Sequence, residues 1–412
     1  MNINRTTKTP LNNSSTKNVF HYLGPALITA ALVLGPGSLT LASTIGAVYG
    51  YQLVWLFVVA VIFMMVFTEM STRIGLASNK TFMEILQNKW GKWGAIVSGL
   101  GAFLVSASFQ AGNAIAVGVV GSTLIGLSPA FWIMLFTILS ALLLFRKNFY
   151  KILEKLTLAL VMLMLLSFVI TLLLTTPSIP SIVQGFVPTV PDGSLGLIIG
   201  YTATCFSIVA ATYQSYLVKE KGWGKDLVNQ ASKESYLGIF LLGLLSALVM
   251  IAAAAVLLPQ GISIDSIGDM GLALEPLYGS WATVIFMLGL FGAAFSSFMG
   301  NATVGGALFS DGLGFGSKLS NFKVKIAIIA VMVFGSIIGI IFGGSPVNMI
   351  IFAQGVTIIV VPLLAIALLV VANDKKIMGK LTNSFVKNII GVAGLIVLIL
   401  LAINNINNIF FS

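Results

Sequence analysis

Long apolar stretches separated by short polar ones run the length of this chain. Roughly 20 apolar residues suffice to cross a bilayer as a helix. By that measure eleven crossings are marked out, at about 24–48, 52–72, 95–123, 129–145, 154–175, 195–218, 236–258, 281–309, 324–343, 347–372 and 386–403. The expected fold class is an all-α integral membrane protein. The first twenty residues are polar and basic, without the apolar centre of a cleavable signal peptide, so the first stretch is expected to act as its own insertion signal. Residues 1–23 read as a tail before the first crossing, and the Asn-rich residues 404–412 as a disordered or interfacial tail after the last.

Composition narrows the class. Of 412 residues, 58% are hydrophobic and 8% charged, where a soluble chain carries about a quarter charged residues. A soluble domain is excluded. One cysteine, Cys205, lies in an apolar stretch, and one histidine, His21, precedes the first. That inventory allows no disulfide within the chain and offers little for a metallohydrolase or a thiol enzyme. No paired acids or activated nucleophile stand in reach of one another, so an enzyme is not expected and no cofactor is implied. The run Gly312 to Lys318 loosely resembles a phosphate loop, but its spacing is wrong and it reads as a flexible turn.

The net charge of +10 is a matter of placement. All 22 basic residues fall in the N-terminal tail or in alternate loops: Arg73 to Lys92, Arg146 to Lys155, Lys219 to Lys233, Lys318 to Lys325 and Lys375 to Lys387. The opposite loops hold only Asp192, Asp265, Asp269 and Glu275. The excess of Lys and Arg on cytoplasmic loops puts the N-terminus inside and the C-terminus outside in a multi-pass plasma-membrane protein. The basic charge therefore reports topology and does not point to nucleic acid. Trp55, Trp132 and Trp281 mark the outer interface and Trp90, Trp93 and Trp223 the inner one. Glu69 and Arg73, four apart, are expected to pair on one helical face.

One stretch is interrupted. Gly35-Pro36-Gly37-Ser38 falls in the middle of the first crossing. Broken backbone is tolerated at that depth only where protein or a water-filled cavity satisfies it. With this topology the first crossing starts inside and the sixth outside, so 24–175 and 195–372 form two inverted five-helix halves, with 386–403 as an eleventh helix. In such designs interrupted helices at matching places mark the substrate site. The matching place is the small, polar patch Ala211, Thr212, Tyr213 and Gln214. A proline kink serving packing alone is the plainer alternative. Gln354, polar in an apolar stretch, reads either as a ligand or as an interhelical hydrogen bond, and Asn301 as the latter.

Three segments carry a family resemblance. "GPALITAALVLGPGSLTLASTIGAVYGYQLVW", "LFGAAFSSFMGNATVGGALFSDGL" and "IIFAQGVTIIVVPLLAIALLVVANDKKIMGK" resemble the first, eighth and tenth helices of the natural resistance-associated macrophage protein (NRAMP) divalent-metal transporters. The resemblance covers about 24–390. It implies a leucine-transporter-type fold with an inverted 5+5 repeat, unwound helices 1 and 6, and alternating access to a central site. The functional motifs depart from the family's pattern. Gly35 and Ser38 stand where the family has metal-binding Asp and Asn. Ala211, Thr212 and Tyr213 replace Met-Pro-His, and Val218 a further His. Ser106 and Phe109 replace acids of the proton path. Gln354 keeps a residue proposed as a ligand.

The acids agree independently, since all twelve lie in loops or near the ends of crossings. Two cargo classes follow. One is a metal ion of the Mg²⁺, Mn²⁺ or iron type, free or complexed, at an altered site of Ser38, Thr212 and Gln354 without NRAMP-type proton coupling. The other is a small organic solute (a metal chelate, amino acid or organic acid), sodium-coupled through Ser296 and Ser297 or uncoupled. In either case the substrate-binding candidates are Gly35, Gly37, Ser38, Ala211, Thr212, Tyr213, Gln214 and Gln354. The expected partners are that solute or ion and the lipid bilayer, with no obligate protein partner.

Overall fold

The computed structural model of the protein describes residues 35–145, 147–343 and 345–410. Among them the regular structure is helical throughout. Eight helical stretches are long and apolar enough to cross a membrane, and Pro129–Leu143 and Ala159–Thr175 are shorter apolar helices. In chain order the main helices are α1 (Pro36–Tyr49), α2 (Val54–Ala77), α3 (Phe82–Ile125), α4 (Pro129–Leu143) and α5 (Lys147–Thr175). They continue as α6 (Leu195–Cys205), α7 (Ile208–Glu220), α8 (Val228–Val256), α9 (Ala282–Gly312) and α10 (Phe322–Phe342). The last are α11 (Pro346–Thr357), α12 (Val361–Ala372) and α13 (Phe385–Phe410).

Small residues set how closely these helices approach, as expected where lipid tails give helices no hydrophobic reason to associate. A Cβ built on Gly305 of α9 would lie 2.3 Å from the Cβ of Ser106 on α3, and one on Gly306 2.5 Å from the backbone of Ile328 on α10. On the other side of the molecule, a Cβ on Gly46 of α1 would meet the Met250 carbonyl of α8 at 2.2 Å. One on Gly75 of α2 would meet the Ser215 carbonyl of α7 at 2.5 Å. Two packed groups result: α1, α2, α7 and α8, and α3, α4, α9 and α10.

Buried hydrogen bonds hold each group internally. Ser71 Oγ donates to the Thr212 carbonyl at 3.0 Å, and the Thr72 and Ser235 hydroxyls are 2.8 Å apart. In the second group Gln110 Nε2 donates to the Phe298 carbonyl at 3.0 Å and Asn301 Nδ2 to the Ser106 carbonyl at 2.7 Å. Asn301 is thus the interhelical contact expected of it. Between the groups, Tyr216 of α7 donates to Asp311 of α9 at 2.6 Å.

Glu69 and Arg73 pair at 2.8 Å with side chains 3% and 5% exposed, and Lys387 of α13 reaches the same carboxylate at 2.7 Å. Arg73 also donates to Asn383 at 2.6 Å, which ties α2 to the loop before α13. Two cations thus share one carboxylate at the end of the molecule where basic loops gather.

Four local features differ from the reading of the sequence. The sixth crossing is two helices, and the joint lies at Phe206 (φ −98°, ψ 57°) and Ser207 (φ −76°, ψ 91°), ahead of the patch at Ala211–Gln214. The tenth is also two helices, α11 and α12, linked by turns whose N–H groups bond back three residues, Ile358 to Gly355 and Ile359 to Val356. The third begins earlier, because a capping box of Thr81 and Glu84 starts a helix that bends at Gly91 (φ 75°). Residues 404–410 are not a loose tail: α13 continues through them, and Asn405 Nδ2 donates to the Gly355 carbonyl at 3.1 Å. The first half of the first crossing, 24–34, lies outside the described residues, as do His21 and the N-terminal tail.

Replacing Glu69 by Gln leaves Arg73 buried beside Lys387 without a counter-charge. Breaking one partner out of a buried pair costs roughly 3–5 kcal/mol. Thermal unfolding of the detergent-purified variant is therefore expected at a clearly lower Tm. An unchanged Tm would contradict the structural role given to the cluster.

Candidate transport site

α1 starts at Pro36 because proline supplies a helical φ and has no N–H to leave unsatisfied at the first position. Gly35 before it is extended, with φ −102° and ψ 178°. α7 starts at Ile208, directly after the joint with α6, with Ser207 in the N-cap position. The two helix starts face one cavity of about 330 Å³. Its walls include Gly35 and Gly37 of α1, Thr204 and Ser207 at the α6–α7 joint, Asn113 of α3, Ser297 of α9 and Gln354 of α11. Met64, Phe109, Leu217, Ile239 and Val304 supply apolar wall, and the cavity extends to Glu220 and Leu319 near the basic loops.

Of the residues singled out in the sequence, Gly35, Gly37, Tyr213, Gln214, Gln354 and Ser297 line this cavity. Ser38 does not: it is 2% exposed, and its hydroxyl lies 3.4 Å from that of Thr204. Ala211 and Thr212 are fully buried on the opposite face of α7, where the Thr212 hydroxyl donates to the Ile208 carbonyl at 2.8 Å. Ser296 is turned to the neighbouring face of α9, since adjacent residues on a helix point about 100° apart. Phe109 is on the wall, while Ser106 is buried under Gly305.

The groups that remain on the wall interlock. A Cβ on Gly35 would stand 2.9 Å from Ser297 Oγ, so that hydroxyl occupies space a residue at position 35 would need, while Asn113 Oδ1 at 3.5 Å would be in ordinary contact. A Cβ on Gly37 would lie 2.3 Å from Gln354 Nε2. Gln354 is 3% exposed, and its Oε1 has no hydrogen-bond partner among the described residues. Asn113 donates to Gln110 at 3.3 Å, continuing the polar line of α3 into the cavity.

Sequence reasoning passed over Asn113, Thr204 and Ser207. The signal for Asn113 was present: Ser106, Gln110 and Asn113 recur on one helical face of an otherwise apolar stretch. Among the described residues no three His, Cys, Asp or Glu side chains come together in a way that could hold a metal ion.

The architecture is shared with solved membrane transporters. Crystal structures of variants of the Eremococcus coleocola manganese transporter superpose with TM-score 0.75 at 19% identity, covering 100% of this chain and 92% of theirs. Mhp1, a nucleobase-cation-symport-1 family transporter solved closed with bromovinylhydantoin bound, superposes with TM-score 0.56 at 16% identity, over 94% of this chain and 92% of its own. The chain thus shares the fold of these two structures.

Sequence comparison is more specific. The family model described as natural resistance-associated macrophage protein-like matches residues 26–408, and the chain belongs to that family, whose members are transporters and not enzymes. It is 25% identical to the divalent metal cation transporter MntH of Deinococcus radiodurans, over 94% of this chain and 89% of that protein. MntH of Erwinia tasmaniensis is 24% identical, over 95% and 94%.

Because Gln354 fills the space beside Gly37, Gly37→Ala is expected to destabilise the protein by about 1–3 kcal/mol, the usual cost of overpacking. Gln354→Ala in the same chain should remove most of that penalty. A double-mutant cycle on thermal unfolding checks this, and additive effects would contradict the contact.

Proposed function

We propose that the chain is an alternating-access secondary transporter of the plasma membrane whose cargo is a metal ion held with its water or inside a complex. The reading takes eleven crossings, an inverted pair of five-helix halves at 24–175 and 195–372, and helices 1 and 6 unwound at the membrane centre. It takes the N-terminus as cytoplasmic and the C-terminus as external. The family and the MntH relatives support the metal. The observation that carries the altered site is the character of the cavity wall: neutral oxygens and amides around Gly35, with Gln354 Oε1 unpaired among the described residues.

A bare dication is the wrong guest for such a wall. Mg²⁺ gives up water reluctantly, and transition metals of the Mn²⁺ to Zn²⁺ series gain most from imidazole, thiolate or carboxylate. Among the described residues, the cavity around Gly35 offers none of these. It is also roomy, because a single water needs only roughly 10–15 Å³ on the same measure. A hydrated or complexed ion suits both facts. Proton coupling of the NRAMP type loses its means as well, with Ser106 and Phe109 where the family carries acids.

The volume itself favours a second reading, transport of a small organic solute, since pockets for such ligands begin near 300 Å³. The Ser297 hydroxyl sits against Gly35 at the start of α1, and a hydroxyl oxygen suits a monovalent ion.

Two outcomes are expected. In proteoliposomes, uptake of Mg²⁺ or Mn²⁺, alone or with a chelator, proceeds without acidification reported by an internal pH dye. An inward proton gradient changes its rate by less than about twofold, worth only ~0.4 kcal/mol. Proton-driven accumulation would overturn the uncoupled reading, and the absence of any metal uptake, chelated or not, would overturn the metal reading. If sodium drives an organic cargo, Ser297→Ala abolishes the Na⁺ dependence of its uptake. Retained Na⁺ dependence in that variant removes Ser297 from the coupling.

A further inference from the structure

α3 is longer than a bilayer is thick. Its 44 residues would run about 66 Å if straight, against roughly 30 Å of hydrocarbon and roughly 40–45 Å with the headgroups. The surplus is turned aside at Gly91, whose φ of 75° lies outside the helical region. A Cβ there would meet nothing within 4 Å, so this glycine serves the bend and not a close crossing. From Ile125 at the far end of the helix back to Trp93 is about 48 Å along the axis. With the tilt usual for a crossing helix, the bend falls in the headgroup layer.

Two tryptophans flank the bend and face outward. Trp93 is 76% exposed and Trp90 38%. Gly94 leaves room for Trp90, since a Cβ on it would lie 2.5 Å from the Trp90 Cβ. Trp55 and Trp132 donate their indole N–H to the Thr189 and Gly126 carbonyls, at 3.0 and 2.6 Å. Those of Trp90 and Trp93 have no partner among the described residues. An exposed indole with a free N–H suits the layer where apolar chains meet polar headgroups.

Charge gathers at the same place. Lys89, one residue before Trp90, pairs with Asp374, which brings the loop after α12 against the start of α3. Beside that pair stand Lys92, Lys375 and Lys376, all exposed and none paired with a carboxylate among the described residues. Polybasic segments next to a crossing helix attract acidic headgroups.

We propose that the bend at Gly91 binds the headgroup of an anionic phospholipid, with its phosphate on Lys92, Lys375 and Lys376 and its glycerol backbone against the indoles of Trp90 and Trp93. Three uncompensated cations call for an anion, and two exposed indoles call for a neighbour that is apolar on one side. A phospholipid supplies both in one molecule, whereas a soluble anion leaves the indoles in water. The Lys89–Asp374 pair joins the two chain segments that hold the headgroup, so a bound lipid fastens the start of α3 to the exit of α12. None of these residues lines the central cavity, and the site is independent of what that cavity carries.

Native mass spectrometry and thermal unfolding of the full-length protein in detergent test this, with phosphatidylglycerol, phosphatidylcholine or inorganic phosphate added. Phosphatidylglycerol is expected to stay bound and to raise Tm, and the other two to do neither. Lys92→Gln, Lys375→Gln and Lys376→Gln together are expected to weaken its retention at least about tenfold, with the lipid-free Tm unchanged. Arginine at the same three positions keeps the lipid. Trp93→Ala, with every charge in place, weakens retention as well. Three exposed lysines of other basic loops serve as the control: Lys225→Gln, Lys233→Gln and Lys318→Gln together change retention by less than about twofold, because distant exposed charges are screened. Equal retention of phosphatidylcholine overturns the proposal, as does an equal loss in the two triple variants or undiminished retention in both the first triple and Trp93→Ala. Tight binding of free phosphate would make this a site for a soluble anion, and a dimer that Trp93→Ala dissolves would give the indoles to a second copy of the chain; either result also overturns it.

Discussion

The joint between α6 and α7 leaves backbone groups that must find partners, and the packing around it answers that requirement. Each unsatisfied group costs several kcal/mol in lipid, so a broken helix survives only behind walls of protein. Here the starts of α1 and α7 are enclosed by α2, α3, α8, α9 and α11. The enclosure depends on glycines at close crossings: Gly46 against α8, Gly75 against α7, and Gly305 and Gly306 against α3 and α10. Those seams let backbones approach where side chains would hold them apart. The buried hydroxyl and amide bonds at Ser71, Thr72, Gln110 and Asn301 then fix the register.

Within that enclosure the sign of the field follows from which ends are present. A metal site sets carboxylate or imidazole against a cation. This cavity sets helix N-termini, amides and hydroxyls against its contents, with the Ser297 hydroxyl in the place a side chain at position 35 would take. Membership of the family fixes the transporter class; the proposed cargo follows from the chemistry left on the wall.

Much of this was legible in the sequence. Hydropathy marked the apolar helices, because lipid leaves few alternatives to a helix of sufficient length. Gly35-Pro36 announced the start of α1, since proline at a first helical position leaves a recognisable signature. Gln354 stood out as a polar residue in an apolar run. The joint in the sixth crossing was misplaced because Phe206 and Ser207 carry no breaker residue; the chain leaves the helix there for tertiary reasons. Ala211 and Thr212 were read as facing the site, yet both are fully buried off its wall and the Thr212 hydroxyl donates back to the Ile208 carbonyl. Periodicity locates a helix well but does not set its rotation. The Asn-rich end of α13 looked like a tail because Asn disfavours helix interiors; Asn405 is held by the Gly355 carbonyl, a contact no local pattern reveals.

The central claim is that the space between Gly35, Ser207 and Gln354 holds cargo without stripping a dication of its ligands. Anomalous diffraction from crystals soaked in Mn²⁺ tests it most directly. The account predicts no manganese peak in direct contact with Gln354 Oε1 or with the carbonyls beside Gly35 and Phe206. A manganese ion coordinated there by the protein itself would contradict it.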